Sequence, residues 1–407
     1  MNDRDAGVRG SLLRLAEAAA AERRRLEVTT RIEGSDLTLY RAGLREGRDW
    51  FGLFGRDLLI TALLLGEREF ARDALRFVNA TLGSRFDPRT GEEPGRGLHE
   101  FDDVEMRGLS TRYNASEVSL LFLVVAAKHL GEADDDGLVR EISGGLARAA
   151  DYLLRHFEDG LFHEDPTTCG AARYALRATY WKDSRLPGRE DPHYPVAYTL
   201  VQAQAVAACR AAGRLAERLP GFPCSRREWG DLATAAVERL FTDLWEPTLA
   251  YPVIAVDRRG PIRGVSSDAL HMLLYLDAED LAREQLAAIA RGADSLATPF
   301  GYRTYAELQE DYDPHAYHLG AIWPFEQAII ARGAAEHGLP NVQDAAFRIV
   351  GALERLGFHE LFYWDGEGDL EGGTAVEGQG CDLQLWSLAV PTALLSLVGR
   401  SERDARS

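Results

Sequence analysis

Helical periodicity recurs along nearly the whole chain, and this feature limits most strongly how the chain can fold. Several helical segments are apolar on most of their circumference, among them LLITALLLGE, VSLLFLVVAAKHLG and LQLWSLAVPTALLSLVG. A helix that is apolar all round has to be buried inside a large protein. The sequence therefore predicts an all-α protein whose core is built from helices.

The helices are predicted from apolar spacing and from the turn residues between them. They span residues 9–25, 55–66, 68–82, 115–131, 137–157, 195–216, 226–243, 266–275, 278–292, 319–336, 341–356 and 382–398. Strand signals are few and short, in LTLYRA, YPVIAVD and LFYWD, and they predict small hairpins within loops.

Short connections between the predicted helices alternate with long connections that are rich in aromatic and charged residues. The long connections cover residues 84–114, 158–195, 294–318 and 357–381. Loops longer than about 12–15 residues inside a compact domain are usually functional. Alternation of this kind predicts an (α/α)6 toroid of helical hairpins, with short β-hairpins in the long loops and those loops gathered at one end.

No linker rich in Pro, Gly or Ser divides the chain, and no step in composition marks a boundary. We therefore expect residues 1–407 to form a single catalytic domain. Its N-terminal helix is predicted at about 9–25, and its tail at about 399–407 is expected to be disordered.

Composition narrows the class of partner. The chain has a formal net charge of −18 and no basic patch, which argues against nucleic acid as a ligand. No run reaches the ~18 apolar residues of a membrane span, and the N-terminal segment resembles an amphipathic helix rather than a signal peptide. We expect a cytoplasmic protein that acts away from nucleic acid and membranes; the sequence leaves the oligomeric state open.

Metal and cofactor chemistry find little support in the sequence. The four cysteines are scattered with no CxxC pair, and the histidines are dispersed. The phosphate and nucleotide motifs GxGxxG and GxxxxGK[ST] are absent, as are GxSxG and HExxH. Neither a metal nor a cofactor is expected.

Aromatic and charged residues suited to sugar binding concentrate in the long loops and at helix starts. Aromatic faces pack on the apolar face of a pyranose, charged groups hold its hydroxyls, and two carboxyls carry out glycoside hydrolysis. The motifs that hold these residue types are FGRD (54–57), HE (99–100), YWKDS (180–184), YHLGAIWP (317–324), HELF (359–362) and CDLQLWS (381–387).

In this order the motifs resemble the glucosidase domain of glycogen-debranching proteins, the amylo-α-1,6-glucosidases, over roughly residues 50–398. They are more distantly similar to other (α/α)6-barrel, or six-hairpin, α-glycosidases such as the trehalase and processing α-glucosidase groups. The resemblance implies an inverting α-glycosidase with Asp183 as general acid and Glu360 as general base. It also implies substrate-binding roles within the same motifs for Arg56, Asp57, Glu100, Trp181, Lys182, Tyr317, His318, Trp323, Gln384 and Trp386.

Physical chemistry sets conditions on the two carboxyls. Asp183 has to be protonated at working pH, so its pKa is expected to be raised by burial or by neighbouring acids. Glu360 has to stay ionised and hold a water. Inversion calls for a separation of about 6.5–9.5 Å between the two carboxyls. Because the chain lacks further glucan-binding segments, we expect a small α-glucoside; an α-mannoside would need the same residue types.

Three alternatives stay open at this point. YWKDSRLPG also suits a surface turn, because Asp and Ser cap helices and Lys is readily solvated. A sugar epimerase or isomerase would work through paired histidines, for which His99, His193, His318 and His359 are available. A catalytically silent sugar-binding protein would use the same cleft. Phosphorolysis is disfavoured, since the segment around Glu360 is acidic.

Overall fold

The computed structural model describes residues 3–32, 34–45, 52–133, 136–376 and 379–404. Helices dominate these residues, as predicted. They are α1 Asp3–Arg23, α2 Gly55–Leu65, α3 Arg68–Thr81, α4 Glu117–Ala133, α5 Asp136–Glu141, α6 Ser143–Arg155, α7 Thr199–Ala216, α8 Arg226–Thr242, α9 Asp268–His271, α10 Arg283–Ala293, α11 Pro324–Glu336, α12 Pro340–Ala346, α13 Ile349–Leu356 and α14 Leu385–Asp404. Short 3-10 helices cover Pro166–Cys169, Met272–Tyr275, Ala278–Asp280 and Gly373–Ala375.

The strands are short and antiparallel where their register is defined. They are β1 Glu27–Ile32, β2 Ser35–Tyr40, β3 Gly43–Leu44, β4 Glu105–Met106, β5 Leu109–Ser110, β6 Phe157–Glu158, β7 Leu161–Phe162, β8 Ala197–Tyr198, β9 Trp245–Glu246, β10 Tyr251–Pro252, β11 Ala255–Asp257, β12 Gly260–Ile262, β13 Ala297–Thr298, β14 Gly301–Tyr302, β15 Phe362–Tyr363, β16 Glu371–Gly372 and β17 Leu383–Gln384. Most pairs join neighbours in sequence, whereas β17 pairs with β3 and β8 pairs with β11.

Element bounds differ from the predicted ones mainly at helix starts and ends. The segments predicted as single helices at 137–157 and 341–356 are each divided into two helices. The helix predicted from residue 319 begins at Pro324, whose fixed φ favours the first turn. Helix α14 continues through Asp404, so residues 399–404 are helical, contrary to the predicted disordered tail. Residues 405–407 lie outside the described residues.

Backbone contacts group the chain into two compact units. The terminal unit comprises Met1–Val28, Tyr40–Phe51 and Gly264–Ser407, and the central unit comprises Thr29–Leu39 and Gly52–Arg263. The single domain expected from the sequence stays a prediction.

In the central unit, three pairs of helices pack against each other: α2 on α3, α4 on α6, and α7 on α8. The first members of these pairs also contact one another, α2 with α4 and α4 with α7. Residues Gly55 to Leu64 of α2 are all buried, as are most residues of α7, whereas α3 and α8 bury one face only. The helices that are apolar all round are therefore the inner members, and the amphipathic ones cover them.

The terminal unit repeats this arrangement. Helix α9 packs on α10, α11 on α12, and α14 on α1, while α11 contacts both α9 and α14. Helix α11 is buried over nearly its whole length. Within the described part of the chain, each unit thus contains three pairs of packed helices. Of the helices in the described ranges, none combines the length and apolar character that a membrane crossing needs.

Candidate active site

The first turn of α2 places Arg56 and Asp57 in the interior of the central unit. Both are buried, although both are charged. Helix α2 follows an extended residue, Phe54, and its first residue is Gly55. A Cβ on Gly55 would lie 2.4 Å from the backbone oxygen of Leu98, so only glycine allows this close approach. The acid at the start of α2 also suits the positive end of the helix dipole.

Arg56 lies at the centre of a carboxyl cluster. Its Nη1 donates to Oε1 of Glu117 at 3.2 Å, and its Nη2 donates to Oδ2 of Asp183 at 3.3 Å. Its Nε lies 3.9 Å from Oδ2 of Asp57. The Asp183 side chain keeps 20% exposure, whereas Glu117 keeps 1%. One guanidinium therefore holds three carboxyls, and only Asp183 reaches a partly open surface.

The carboxyls in this cluster tend to hold protons. Burial raises the pKa of Asp183, and the neighbouring Arg56 opposes that rise. Burial also raises the pKa of Glu117 to about 7, again against the attraction of Arg56. The pKa of Glu100 rises to about 7, chiefly through burial. The direction predicted for Asp183 is confirmed, and burial is the cause.

Glu100 joins the cluster through its backbone and through Thr111. Glu100 forms an isolated antiparallel bridge with Phe54, at the start of α2. The Thr111 hydroxyl donates to Oε1 of Glu100. His99 precedes Glu100, and its Nε2 lies 3.8 Å from Oδ2 of Asp183. The HE motif is therefore brought next to the FGRD and WKDS motifs.

Trp181 and Lys182 are both buried beside Asp183 in the chain. Lys182 places its Nζ 4.9 Å from the centre of the Trp181 ring. A cation over an indole face is a favourable contact. Tyr180, Trp181 and Lys182 are consequently interior residues, so the surface-turn interpretation is wrong for them, whereas Asp183 is partly exposed and Ser184 is exposed.

Glu360 lies in the terminal unit, buried and held by a tyrosine. The Tyr317 hydroxyl donates to Oε1 of Glu360 at 2.6 Å. The backbone N–H of Glu360 donates to Cys381, and that of Gln384 donates to Phe358. The HELF and CDLQLWS motifs are therefore adjacent.

An aromatic cluster surrounds Tyr317. Trp323 donates its indole N–H to the Tyr317 carbonyl at 2.8 Å, and the two rings meet edge-on at 4.8 Å. His318 stacks on Trp323 at 5.2 Å. Trp386 meets Trp323 at 5.8 Å and stacks on Phe325 at 4.0 Å. These contacts join YHLGAIWP to CDLQLWS.

The predicted site residues thus form two groups. The central unit brings together Arg56, Asp57, Glu100, Trp181, Lys182 and Asp183, and the terminal unit brings together Tyr317, His318, Trp323, Glu360, Gln384 and Trp386. That Asp183 and Glu360 act on one substrate stays a prediction.

Sequence reasoning missed one member of the central group. Glu117 begins the apolar helix α4, where an acid usually signals no more than a favourable helix start. Its partner Arg56 lies 61 positions away, so no local pattern in the sequence marks the pair. His99 is named in the sequence analysis within the HE motif and in the epimerase alternative, but without a role in binding the glycoside.

Metal ligation can be judged from the same side chains. Within the described ranges, no group of three or more His, Cys, Asp or Glu side chains is arranged to hold a metal ion.

Several solved structures with a similar fold are named as glycosidases. The GH63 mannosylglycerate hydrolase from Thermus thermophilus, in complex with Tris and D-glycerate, shares 14% identity at a TM-score of 0.65, covering 94% of this chain and 100% of that one. The same enzyme in complex with glucose gives 15% identity and a TM-score of 0.62, with 94% and 99% covered. A rhamnosidase from Klebsiella oxytoca with rhamnose bound shares 16% identity at a TM-score of 0.61, and the match covers 96% of this chain and 64% of that one. These similarities confirm the predicted (α/α)6 fold class.

A family model described as the mannosylglycerate hydrolase MGH1-like glycoside hydrolase domain matches residues 104–375, more than half of the chain. The fold and this match define a glycoside hydrolase of the six-hairpin superfamily. More closely, the chain belongs to the mannosylglycerate hydrolase MGH1-like glycoside hydrolase family. No curated protein matches the chain significantly. The matched range contains both Asp183 and Glu360.

Proposed function

We propose that the protein is an inverting α-glycosidase that hydrolyses a small α-glycoside. Asp183 protonates the leaving oxygen as general acid, and Glu360 activates a water as general base. The observation that carries this proposal is the environment of Asp183: a partly exposed carboxyl, raised in pKa by burial, that ends a cluster of otherwise buried acids. A raised pKa favours the protonated form that a general acid needs.

The contacts of Glu360 support the complementary role. Its Oε1 accepts from Tyr317, a hydrogen bond that fixes the orientation of the carboxyl proposed to activate water. The aromatic residues beside Tyr317, namely His318, Trp323 and Trp386, suit packing against the apolar face of a pyranose. Five further predicted binding residues hold hydroxyls through charged or amide groups, namely Arg56, Asp57, Glu100, Lys182 and Gln384.

For the substrate we propose a small α-hexoside, with an α-glucoside first and an α-mannoside second. The sequence resemblance favours glucose, whereas the name of the matched family refers to a mannosyl sugar on glycerate. The two sugars differ at one hydroxyl and are served by the same residue types. A branched glucan of the kind that debranching proteins cleave is not included, because the family match is to hydrolases of a small glycoside.

The proposal is tested by a panel of α-glycosides that crosses two sugars with three aglycones. The protein is incubated with each glycoside, and the released sugar is measured. The sugars are α-glucose and α-mannose, and the aglycones are glycerate, a neutral polyol and a cationic amine. We expect kcat/KM to be highest for one or more small α-hexosides, and to fall by at least about 10²-fold in D183N.

The comparison with D183N also separates the alternatives. Release of sugar by the wild type alone supports acid catalysis by Asp183. Conversion of the free sugar to an epimer, retained in D183N, would support a histidine-based epimerase instead. Binding of sugars without turnover of any panel member would support a silent sugar-binding protein.

A further inference from the structure

His99 is the buried residue closest to the proposed acid that the mechanism above does not use. It is 4% exposed, and its backbone is fixed on both sides. Its N–H donates to the Arg112 carbonyl at 2.9 Å, and its carbonyl accepts from Gly55 at 3.1 Å. Phe54 packs edge-on against the imidazole at 5.2 Å. The ring therefore has a defined orientation beside Asp183.

The hydrogen bond on the far side of the ring determines the tautomer. Nδ1 of His99 lies 3.2 Å from the Thr111 carbonyl oxygen. A carbonyl oxygen can only accept, so Nδ1 carries the proton and donates it. In a neutral imidazole the other nitrogen is then an acceptor. Nε2 consequently presents a lone pair.

The imidazole stays neutral over the working range of pH. Burial lowers the pKa of His99 to about 3, and the nearby positive charge of Arg56 lowers it further. A group with so low a pKa is a poor proton shuttle near neutral pH. This argues against the proton-shuttling role that the epimerase alternative would give to His99.

Nε2 is left without a donor. Among the residues that the structure describes, no group forms a hydrogen bond to this buried atom. Its neighbour at 3.8 Å is Oδ2 of Asp183, which already accepts from Arg56. A buried acceptor without a donor costs free energy, and native proteins satisfy nearly all such atoms. The described residues therefore leave this acceptor available to a donor such as a bound ligand, next to the proposed acid.

We infer that Nε2 of His99 accepts a hydrogen bond from a hydroxyl of the glycoside, so that His99 is a specificity-determining residue of the substrate site. This inference rests on the proposed function, since it takes Asp183 to face the glycosidic oxygen. Nε2 of His99 can only accept a hydrogen bond, so its partner on the sugar has to be a donor. A hydroxyl is a donor, whereas a hydrogen, a fluorine or an ether oxygen at the same sugar position is not. The chemistry recognised is an O–H group within reach of the cleaved bond.

The test compares the preferred glycoside with its singly deoxygenated and fluorinated analogues, using the wild type, H99F and H99Q. In the wild type we expect one position at which loss of the hydroxyl lowers kcat/KM by on the order of 10-fold. H99F keeps an aromatic ring but lacks the acceptor, so the difference between parent and analogue should shrink to about 2-fold or less. H99Q, whose amide oxygen can replace Nε2, should restore the discrimination.

A matched control uses another buried histidine of the same unit. Both ring nitrogens of His156 have partners, the His163 carbonyl and Glu93, each at 2.8 Å. H156Q should leave the discrimination between parent and analogue unchanged. Thermal unfolding of each variant shows whether a loss of activity reflects loss of the fold. If every analogue loses the same factor in the wild type and in H99F, the inference is overturned and water alone satisfies Nε2.

Imidazole ¹⁵N NMR of the full chain keeps this inference separate from the proposed function. We expect His99 to show the neutral tautomer protonated at Nδ1, and its Nε2 signal to shift when the free monosaccharide is added. A chain that hydrolyses no glycoside but shows this shift would contradict the proposed hydrolysis and retain the role of His99. Protonation of Nε2, or no shift with sugar in an active enzyme, would overturn the role of His99.

Discussion

Arg56 controls the charge of the acids around it. Asp57, Glu117 and Asp183 lie 3.9, 3.2 and 3.3 Å from its guanidinium nitrogens. A single cation cannot neutralise three buried carboxylates, so part of the charge is removed by protonation instead. The raised pKa of Asp183 is consistent with the proposed role of this residue as the general acid.

Leaving-group chemistry separates the acid from the base. A glycosyl fluoride departs without protonation, whereas a glycoside with a poor leaving group needs an acid. We expect D183N to lose about 10²–10⁴-fold on the glycoside but less than about 10-fold on the α-glycosyl fluoride. E360Q should lose activity on both. Steady-state kinetics on the two substrates measures this, and equal losses in D183N would contradict the assignment of the acid.

The protonated state of Glu117 has a consequence for stability. Its pKa is about 7 in the folded chain, above the ordinary value of 4.5, so the folded state binds more protons over that interval. Stability from this group is present below about pH 4.5 and is lost as the pH rises through 7. In E117Q this loss is absent. We expect the free energy of unfolding of E117Q, relative to wild type, to rise by on the order of 2 kcal/mol from pH 4.5 to 8.

Denaturant unfolding across this pH range provides the measurement. The exposed Glu238 of α8 serves as the control, because the same substitution there removes a solvated carboxyl. E238Q and the wild type should give parallel curves. Parallel curves for E117Q as well would show that Glu117 is ionised in the folded protein.

At the scale of elements, helices could be predicted and the partners of buried charges could not. Periodicity located the inner helix α2 to within one residue, at 55–66 against Gly55–Leu65. Helix ends followed tertiary packing, as where α14 continues through Asp404. Motif order indicated that Arg56 and Asp183 belong to one site. It gave no sign of Glu117, because contacts between distant segments follow from packing rather than from local pattern.

A second network of buried charged residues connects the YWKDS segment to the core of the central unit. Arg96 and Glu164 are fully buried, and two hydrogen bonds of 3.1 and 2.6 Å join them. Glu164 also accepts from the Thr179 hydroxyl at 2.8 Å, and the Thr179 carbonyl accepts from Ser116. Thr179 lies four positions before Asp183, and Ser116 directly precedes the first residue of α4. The network therefore ties the YWKDS segment to the start of α4.

Breaking this network should cost far more than breaking an exposed pair of the same geometry. E164Q leaves the buried Arg96 with reduced compensation, and we expect a loss of about 3–5 kcal/mol in the free energy of unfolding. E141Q is the matched control: Glu141 also receives two hydrogen bonds from one arginine, Arg76, but is 48% exposed. Its expected cost is below about 1 kcal/mol. Urea unfolding of both variants decides this, and similar costs would refute the structural role of the network.

Across the whole molecule, the proposed acid and base belong to different compact units, Asp183 to the central one and Glu360 to the terminal one. They are 177 positions apart in the sequence. The proposed function requires both to act on one glycosidic bond, with a water between Glu360 and the sugar. The stereochemistry of the product reports directly on that requirement, because water attacks from the face opposite the leaving group only when the base acts there.

The most direct measurement is therefore proton NMR of the sugar in the first minutes of hydrolysis of the preferred α-glycoside, before the free sugar mutarotates. Inverting hydrolysis by Asp183 and Glu360 predicts that the β-anomer appears first. Initial release of the α-anomer would mean a retaining mechanism and would contradict the assignment of Glu360 as the base that activates water.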